Sequence, residues 1–474
     1  MTADLPITYG ARLRALAGER GEETAVHFLA RDGSEERLSW ADLDASANRF
    51  ARVLEGRGVG QGDVVSLGLA NTPVHLTVAL AVWRLGATTM VLDPGLPEAT
   101  ADPLVARIDA RLRLQEKKGR GDISRAELEA LAAGQSDAPL AEDRVSRPGK
   151  IVMSGGSTDL PKLMADDKPH VRVPGRSWGN IAPALGFRPD QVQLVCGVLS
   201  HNAPLTWAHN GLFEGNTLVL MEKFDAERAL KAIDRFEVGF VMLVPTMMTR
   251  MLDRLDASGA TLDSLHSLYH TAPPCPSWLK QAWIDRLGPD RIYGMYGFGE
   301  NTGQIVITGS EWLTHPGSVG RGFETDIRIR DTEGRLLGSG EIGEIYMRPA
   351  DLEGHSRYIG PDAPKPRCDE DGFHSIVDMG HLDEEGYLYL SGRRDDIINT
   401  GGVKVNPEHV EAELLRHPDI VDAVVFGAPD DDWGAVCSSA RRPAFGLGGG
   451  RGGAACLLCG RSGPDRDPQA CDRQ

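Results

Sequence analysis

The chain has no apolar run long enough to span a bilayer; the longest, near Leu76 to Trp83, falls well short of the roughly 20 residues a membrane helix needs. It has no basic patch either. Acidic residues outnumber basic ones for a formal net charge of -17. That sign argues against a polyanionic partner such as nucleic acid, because a binding face would have to overcome repulsion from the rest of the molecule. Met1 to Gly10 lacks the charged and apolar pattern of a signal peptide, so a soluble, cytoplasmic protein is expected. No internal repeat is visible. Cysteine is scarce until the end, where Cys437, Cys456, Cys459 and Cys471 fall within the last 38 residues. At 474 residues the chain exceeds one ordinary domain and is ample for a substantial core.

What is present in the first four-fifths is alternation of helix and strand. Ser39 and Asp42 are spaced to cap a helix whose Leu43, Ala47, Phe50 and Leu54 recur at helical spacing. A turn at Gly58 to Asp63 precedes a strand over Val64 to Leu69, an apolar helix from about Val74 to Leu85 and a strand near Thr88 to Leu92. Asn216 to Met221, Glu227 to Phe236 and Phe240 to Val244 repeat the alternation. The fold class is therefore α/β, with a large N-terminal domain of mostly parallel sheets covered by helices. Residues 93 to 150 are read as surface helices and loops. Around Gly334 to Arg348, apolar Ile342, Ile345 and Met347 predict antiparallel strands in a small β subdomain.

The chemistry-bearing residues come in a fixed order. Ser154-Gly155-Gly156-Ser157-Thr158-Asp159-Leu160-Pro161-Lys162 suits a phosphate chain. Its glycines let backbone N–H groups approach an anion, its hydroxyls donate, and its lysine brings a mobile positive charge. It is not a Walker A loop, which needs four residues between the glycines and a Gly-Lys-Ser/Thr ending. A flexible linker has a similar composition. Tyr296-Gly297-Phe298-Gly299-Glu300 places a carboxylate beyond a turn, where capping a following helix is the bland alternative. Asp378 precedes Gly380-His381-Leu382-Asp383; Gly392-Arg393-Arg394-Asp395 and Gly401-Gly402-Val403-Lys404 follow.

As an ordered set, these segments resemble the adenylate-forming superfamily of acyl-CoA synthetases, luciferases and peptide-synthetase adenylation domains, from about Leu38 to Trp433. The resemblance implies ATP-dependent activation of a small-molecule carboxylic acid as an acyl-adenylate, then transfer to CoA, with ATP, Mg2+ and CoA as cofactors. It implies that Ser154, Gly155, Gly156, Ser157, Thr158 and Lys162 hold phosphates and that Glu300 is the magnesium ligand. Asp378 and Arg393 would hold the ribose, and Thr271-Ala272-Pro273 with Tyr296 and Gly297 would face the adenine. For Asp378 and Arg393 a surface salt bridge is the rival reading.

On the acyl side, Ser200-His201-Asn202-Ala203-Pro204 resembles the segment lining the acid pocket, so His201 is expected to face the acid, with Trp207, Thr246, Met247 and Phe298 as wall residues. Large side chains after strands also serve as plain core. Amino-acid-activating relatives carry an Asp in this region, and none lies between Leu199 and Trp207, which disfavours an α-amino acid. Asp395 matches the hinge at which a C-terminal domain swings, and Gly401 and Gly402 belong to the loop near the CoA channel. The implied domains are 1–394 for the N-terminal domain, 395–434 for the start of an incomplete, small α+β C-terminal domain, and 435–474 for an aberrant tail. A homodimer is left open.

Three departures mark this chain. Asp159 stands where the superfamily has glycine, and Gly299 replaces its threonine or serine before the glutamate. Beyond Trp433-Gly434, glycine, arginine, alanine, proline and cysteine dominate without helical or strand periodicity, which predicts disorder. A gene read in a shifted frame accounts for that composition. A zinc site at Cys456-Leu457-Leu458-Cys459 lacks a second pair. The last lysine is Lys404, so nothing here replaces the superfamily's C-terminal catalytic lysine. Its loss implies adenylation slowed roughly 10²- to 10³-fold. Two other readings stand beside the ligase: a catalytically degraded ATP- or adenylate-binding relative, and an adenylation domain loading a carrier protein in trans.

Overall fold

The computed structural model describes residues 5–153, 161–271, 274–350, 356–360, 363, 367–393, 396, 398–401, 403–405, 407–414, 417, 420–430 and 433–443. Internal contacts divide the chain into two compact units, Met1–Asp326 with Pro349–Pro366, and Ile327–Arg348 with Arg367–Gln474. The expected boundary at residue 394 falls inside the second unit, because the small β subdomain groups with the residues that follow it.

Local chemistry starts the first unit as its sequence predicts. Ser39 caps the helix Trp40–Gly56: its hydroxyl accepts from Asp42 N at 3.1 Å while Asp42 accepts from Ser39 N at 2.9 Å. Leu43, Ala47, Phe50 and Leu54 form its buried stripe. The strand Val64–Gly68, the helix Pro73–Arg84 and the parallel strand Thr88–Val91 make the expected β-α-β unit.

Two sheets carry the unit. In one of seven strands, five parallel strands from Lys150–Met153 to Ile123–Ser124 are extended by antiparallel Leu163–Ala165 and, at the edge, Arg357–Ile359. In the other, of nine strands, six parallel strands lie in the spatial order Thr24–Leu29, Thr217–Met221, Val192–Val195, Phe240–Leu243, Ser267–Thr271 and Ile292–Gly297. Nearly continuous apolar runs such as Phe240–Leu243, buried throughout, suit strands covered on both faces.

Residues 93 to 150 correct an expectation. Besides the helices Glu98–Arg107 and Arg125–Ala133 they contain Leu112–Gln115 and Ile123–Ser124, both strands of the seven-stranded sheet. Pairing with Val64–Gly68 creates the first of these, and a four-residue run broken by arginine gives little local sign of it.

The second unit holds a four-stranded sheet in the order Thr325–Arg330, Gly343–Pro349, His374–Leu382, Leu388–Arg393. Ile345 and Met347 are buried as expected, but Ile342 precedes the strand and is 59% exposed. Farther on, Ile420–Asp430 and Gly434–Pro443 form an antiparallel hairpin. The second arm lies almost wholly in the stretch expected to lack structure; its backbone pairs from Ala435–Pro429 to Arg442–Asp422 irrespective of side-chain pattern.

Candidate active site

The nine-stranded sheet gathers several expected site residues along one edge. Four of its adjacent strands, Val192–Val195, Phe240–Leu243, Ser267–Thr271 and Ile292–Gly297, run parallel, so the residues after each emerge at the same end. These include His201, Thr246 and Met247, and Tyr296 to Glu300, with Thr271 closing its own strand. Between Val192–Val195 and Phe240–Leu243 the connections depart in opposite directions, a switch point at which open α/β sheets form a crevice.

His201 is exposed at the N-cap of the helix Asn202–Phe213, and buried polar groups hold the chain on both sides of it. Asn71 donates to Gly197 O at 2.7 Å and accepts from Leu199 N at 2.7 Å. Lys150 Nζ donates to Asn202 Oδ1 at 2.6 Å and also to the Thr206 hydroxyl. Desolvation, helped by the positive charge of Arg172, pushes the Lys150 ammonium down to about 8. Sequence reasoning missed both residues. Asn71 carried a faint signal, a polar side chain between a buried strand and a proline-led helix.

The expected pocket wall divides. Thr246 is exposed, Met247 is half-buried, and Phe298 is half-buried edge-on to Tyr296 at 5.0 Å between ring centres. Trp207 is instead a core residue, 1% exposed and enclosed by Trp178, Phe187, Phe240 and Tyr269. Its place on the inward face of the helix, where period and packing coincide, takes it out of the wall.

Glu300 lies in the turn between Ile292–Gly297 and the antiparallel strand Gln304–Thr308, so no helix follows for it to cap. Asn301, next in the turn, adopts a left-handed φ of 54°, a conformation asparagine tolerates better than most residues. Gly299 faces Met164: a Cβ there would lie 2.6 Å from the Met164 methyl, the end of a flexible side chain that a small shift would clear.

Tyr358, which sequence reasoning also missed, joins the two best-marked groups. Its hydroxyl donates to Glu300 Oε1 at 2.5 Å, and its ring centre lies 5.6 Å from Lys162 Nζ. Burial, reinforced by the Glu300 carboxylate, pushes the phenol up. The strand register produces this meeting, since Tyr358 pairs with Met164 and Lys162 immediately precedes the same strand, Leu163–Ala165. Ser154, Gly155, Gly156, Ser157, Thr158, Asp159 and Leu160 lie outside the described residues; the strands flanking them pair antiparallel through Val152–Met164 and Met153–Leu163. Ala272, Pro273, Asp395 and Gly402 also lie outside them.

The second unit holds the other expected pair. Asp378 and Arg393 are cross-strand partners, with Arg393 Nε 3.1 Å from Asp378 Oδ1. Asp378 is 8% exposed whereas the Arg393 side chain is 55% exposed, so the two form a half-exposed salt bridge, as the rival reading has it. Val377 beside it has φ of 66°, a costly conformation for a β-branched residue, at an irregularity in the strand pairing. Gly401 has φ of 57° and donates to Trp433 O at 3.0 Å; a Cβ would strike the Trp433 ring. Thus Lys162 and Glu300 meet in one unit, and Asp378 and Arg393 in the other.

Known proteins resemble this chain in sequence and in fold. The 2-succinylbenzoate–CoA ligase of Bacillus thuringiensis subsp. konkukian (strain 97-27) is 27% identical over 413 residues, covering 85% of this chain and 83% of that protein. The enzyme of the same name from Bacillus pumilus (strain SAFR-032) is 27% identical over 418 residues, covering 85% and 82%. Among solved structures, o-succinylbenzoate CoA synthetase (MenE) from Bacillus subtilis, in complex with the acyl-adenylate intermediate OSB-AMP, superposes with a TM-score of 0.78 at 22% identity, over 94% of this chain and 90% of that one. ATP-bound MatB from Rhodopseudomonas palustris gives 0.74 at 24% identity, over 92% and 88%. These superpositions establish the adenylate-forming fold. Residues 13–352 match the family described as AMP-binding enzyme, and the chain belongs to that family.

Proposed function

We propose that the chain is an acid–thiol ligase that converts a carboxylic acid, ATP and CoA into an acyl-CoA, AMP and pyrophosphate. The observation that carries this reading is the meeting of Lys162 and Glu300 on the two sides of Tyr358, beside the carboxyl ends of the parallel strands. The names of the relatives, all CoA ligases, support the class of reaction. A solved MenE complex with ATP and magnesium ion supports the cofactors.

In the first step an oxygen of the acid attacks the α-phosphorus and pyrophosphate leaves; in the second the CoA sulfur attacks the acyl carbon, the thiol proton is released and AMP leaves. Lys162, exposed, is assigned to the outer phosphates, together with the segment from Ser154 to Thr158. Among the described residues no three His, Cys, Asp or Glu gather into a metal cage. A single carboxylate such as Glu300 fits magnesium, which keeps waters and takes phosphate oxygens as its other ligands. When bound, magnesium would neutralise charge on the departing pyrophosphate. His201 and the side chains of Thr246, Met247 and Phe298 are assigned to the acid, Asp378 and Arg393 to the ribose, and Thr271, Tyr296 and Gly297 to the adenine. Asp395 is assigned to the hinge, with Gly401 and Gly402 near the CoA path.

A second reading is favoured by one observation: residues 405–474 contain no lysine. In that reading no lysine of this stretch bridges acid and α-phosphate, the first step runs slowly and nucleotide binding outlasts turnover. One experiment separates the readings. The chain, and a version whose residues after 434 are replaced by the corresponding segment of a relative, are given ATP, magnesium, CoA and a panel of carboxylic acids. Acyl-CoA and AMP are then quantified by mass spectrometry. Thioester from both versions supports the ligase. Nucleotide protection against melting without thioester supports the binding reading. Absence of both sinks the proposal.

A further inference from the structure

The edge strand Arg357–Ile359 has its central side chain against both groups on which the proposed reaction depends. Tyr358 donates to Oε1 of Glu300 and turns its ring toward Lys162. Main-chain bonds fix the geometry from two directions: Ser356 N donates to Glu300 O at 3.0 Å, and Tyr358 is in register with Met164. A phenol that engages Oε1 alone orients a carboxylate and leaves Oε2 to turn toward a cation, as outer partners of metal-ligating carboxylates do.

We infer that Tyr358 is a positioning residue for the cation-binding carboxylate of Glu300, presenting Oε2 to the magnesium ion that accompanies a nucleotide's phosphates. The inference rests on the assignment of Glu300 to magnesium made above. The ring is a separate element: it flanks Lys162, and Tyr358→Phe keeps that flank while removing only the hydroxyl.

The test needs neither the acid nor turnover. ATP is titrated calorimetrically into the full chain, once with magnesium and once with EDTA, for the wild type, Tyr358→Phe, Glu300→Gln and the double variant. Tyr358→Phe is expected to reduce the magnesium-dependent gain in ATP affinity about tenfold, the scale typical of a lost outer partner, with metal-free affinity held within about twofold. Glu300→Gln should abolish the gain, and the double variant should be no worse than Glu300→Gln alone. Tyr358→Phe with an undiminished gain beside a defective Glu300→Gln overturns the inference and spares the Glu300 assignment. Equal weakening with and without magnesium also overturns it, as a purely structural effect. A wild type without a magnesium gain, or a Glu300→Gln variant that keeps it, removes the assignment and the inference together.

Discussion

Truncating Asp44 to alanine should loosen the first unit where its helices meet. Arg84, at the end of the helix Pro73–Arg84, is 1% exposed. Its guanidinium bonds the Asp44 carboxylate and the Asn48 side-chain carbonyl, and reaches Asp44 O at 3.2 Å, all on the helix Trp40–Gly56. Asp44→Ala leaves that charge buried without its counter-ion, a change that costs about 3–5 kcal/mol. Replacing both members by apolar residues, Asp44→Leu with Arg84→Met, removes the charges together. It should cost only about 1–3 kcal/mol, the penalty for the orphaned carbonyl of Asn48. The readout is amide hydrogen exchange in peptides from these two helices, which reports on the first unit locally. At 1.36 kcal/mol per tenfold, Asp44→Ala should speed exchange by about a hundred- to several-thousand-fold, and the double variant should recover much of that protection. Unchanged exchange in Asp44→Ala, or a double variant as damaged as the two single changes added together, would refute the account of Arg84 as a buried charge dependent on Asp44.

Three further outcomes are expected. Burial holds His209 down to about 4 and His75 down to about 3, so between those values and about 6.5 the unfolded chain binds protons that the native chain refuses. Stability should therefore fall as pH is lowered from 7 toward 4, and urea midpoints of His209→Gln should show a flatter slope over that range. Lys150 gives the alkaline counterpart: with its native value near 8, the unfolded state binds more protons from about pH 8 to 10.4, so its contribution grows with pH there, and Lys150→Met should flatten the curve in urea titrations. Asn71→Ala removes both bonds bracketing Gly197 and Leu199; it should raise KM for the acid several-fold more than KM for ATP in steady-state kinetics, and an equal rise in both would count against a role at His201.

Some of this was legible before any coordinates because its causes are local. Ser39 and Asp42 satisfy one another across three residues, and the run from Val64 to Val91 carries its own strand, helix and strand patterns, so cap and β-α-β unit alike could be read along the chain. The ordered segments ending at Lys162, Glu300, Asp378 and Arg393 likewise announced the family through residue type and order. Tertiary structure decided what lies between them. Tyr358 reaches Glu300 across 58 positions, Lys150 reaches Asn202 across 52, and Asn71 reaches Gly197 across 126. Trp207 became core because five aromatic rings converge, and Leu112–Gln115 became a strand because a neighbour supplied its hydrogen bonds. A side chain's own sequence fixes what it can bond; only the packed sheets fix which distant partner stands within reach.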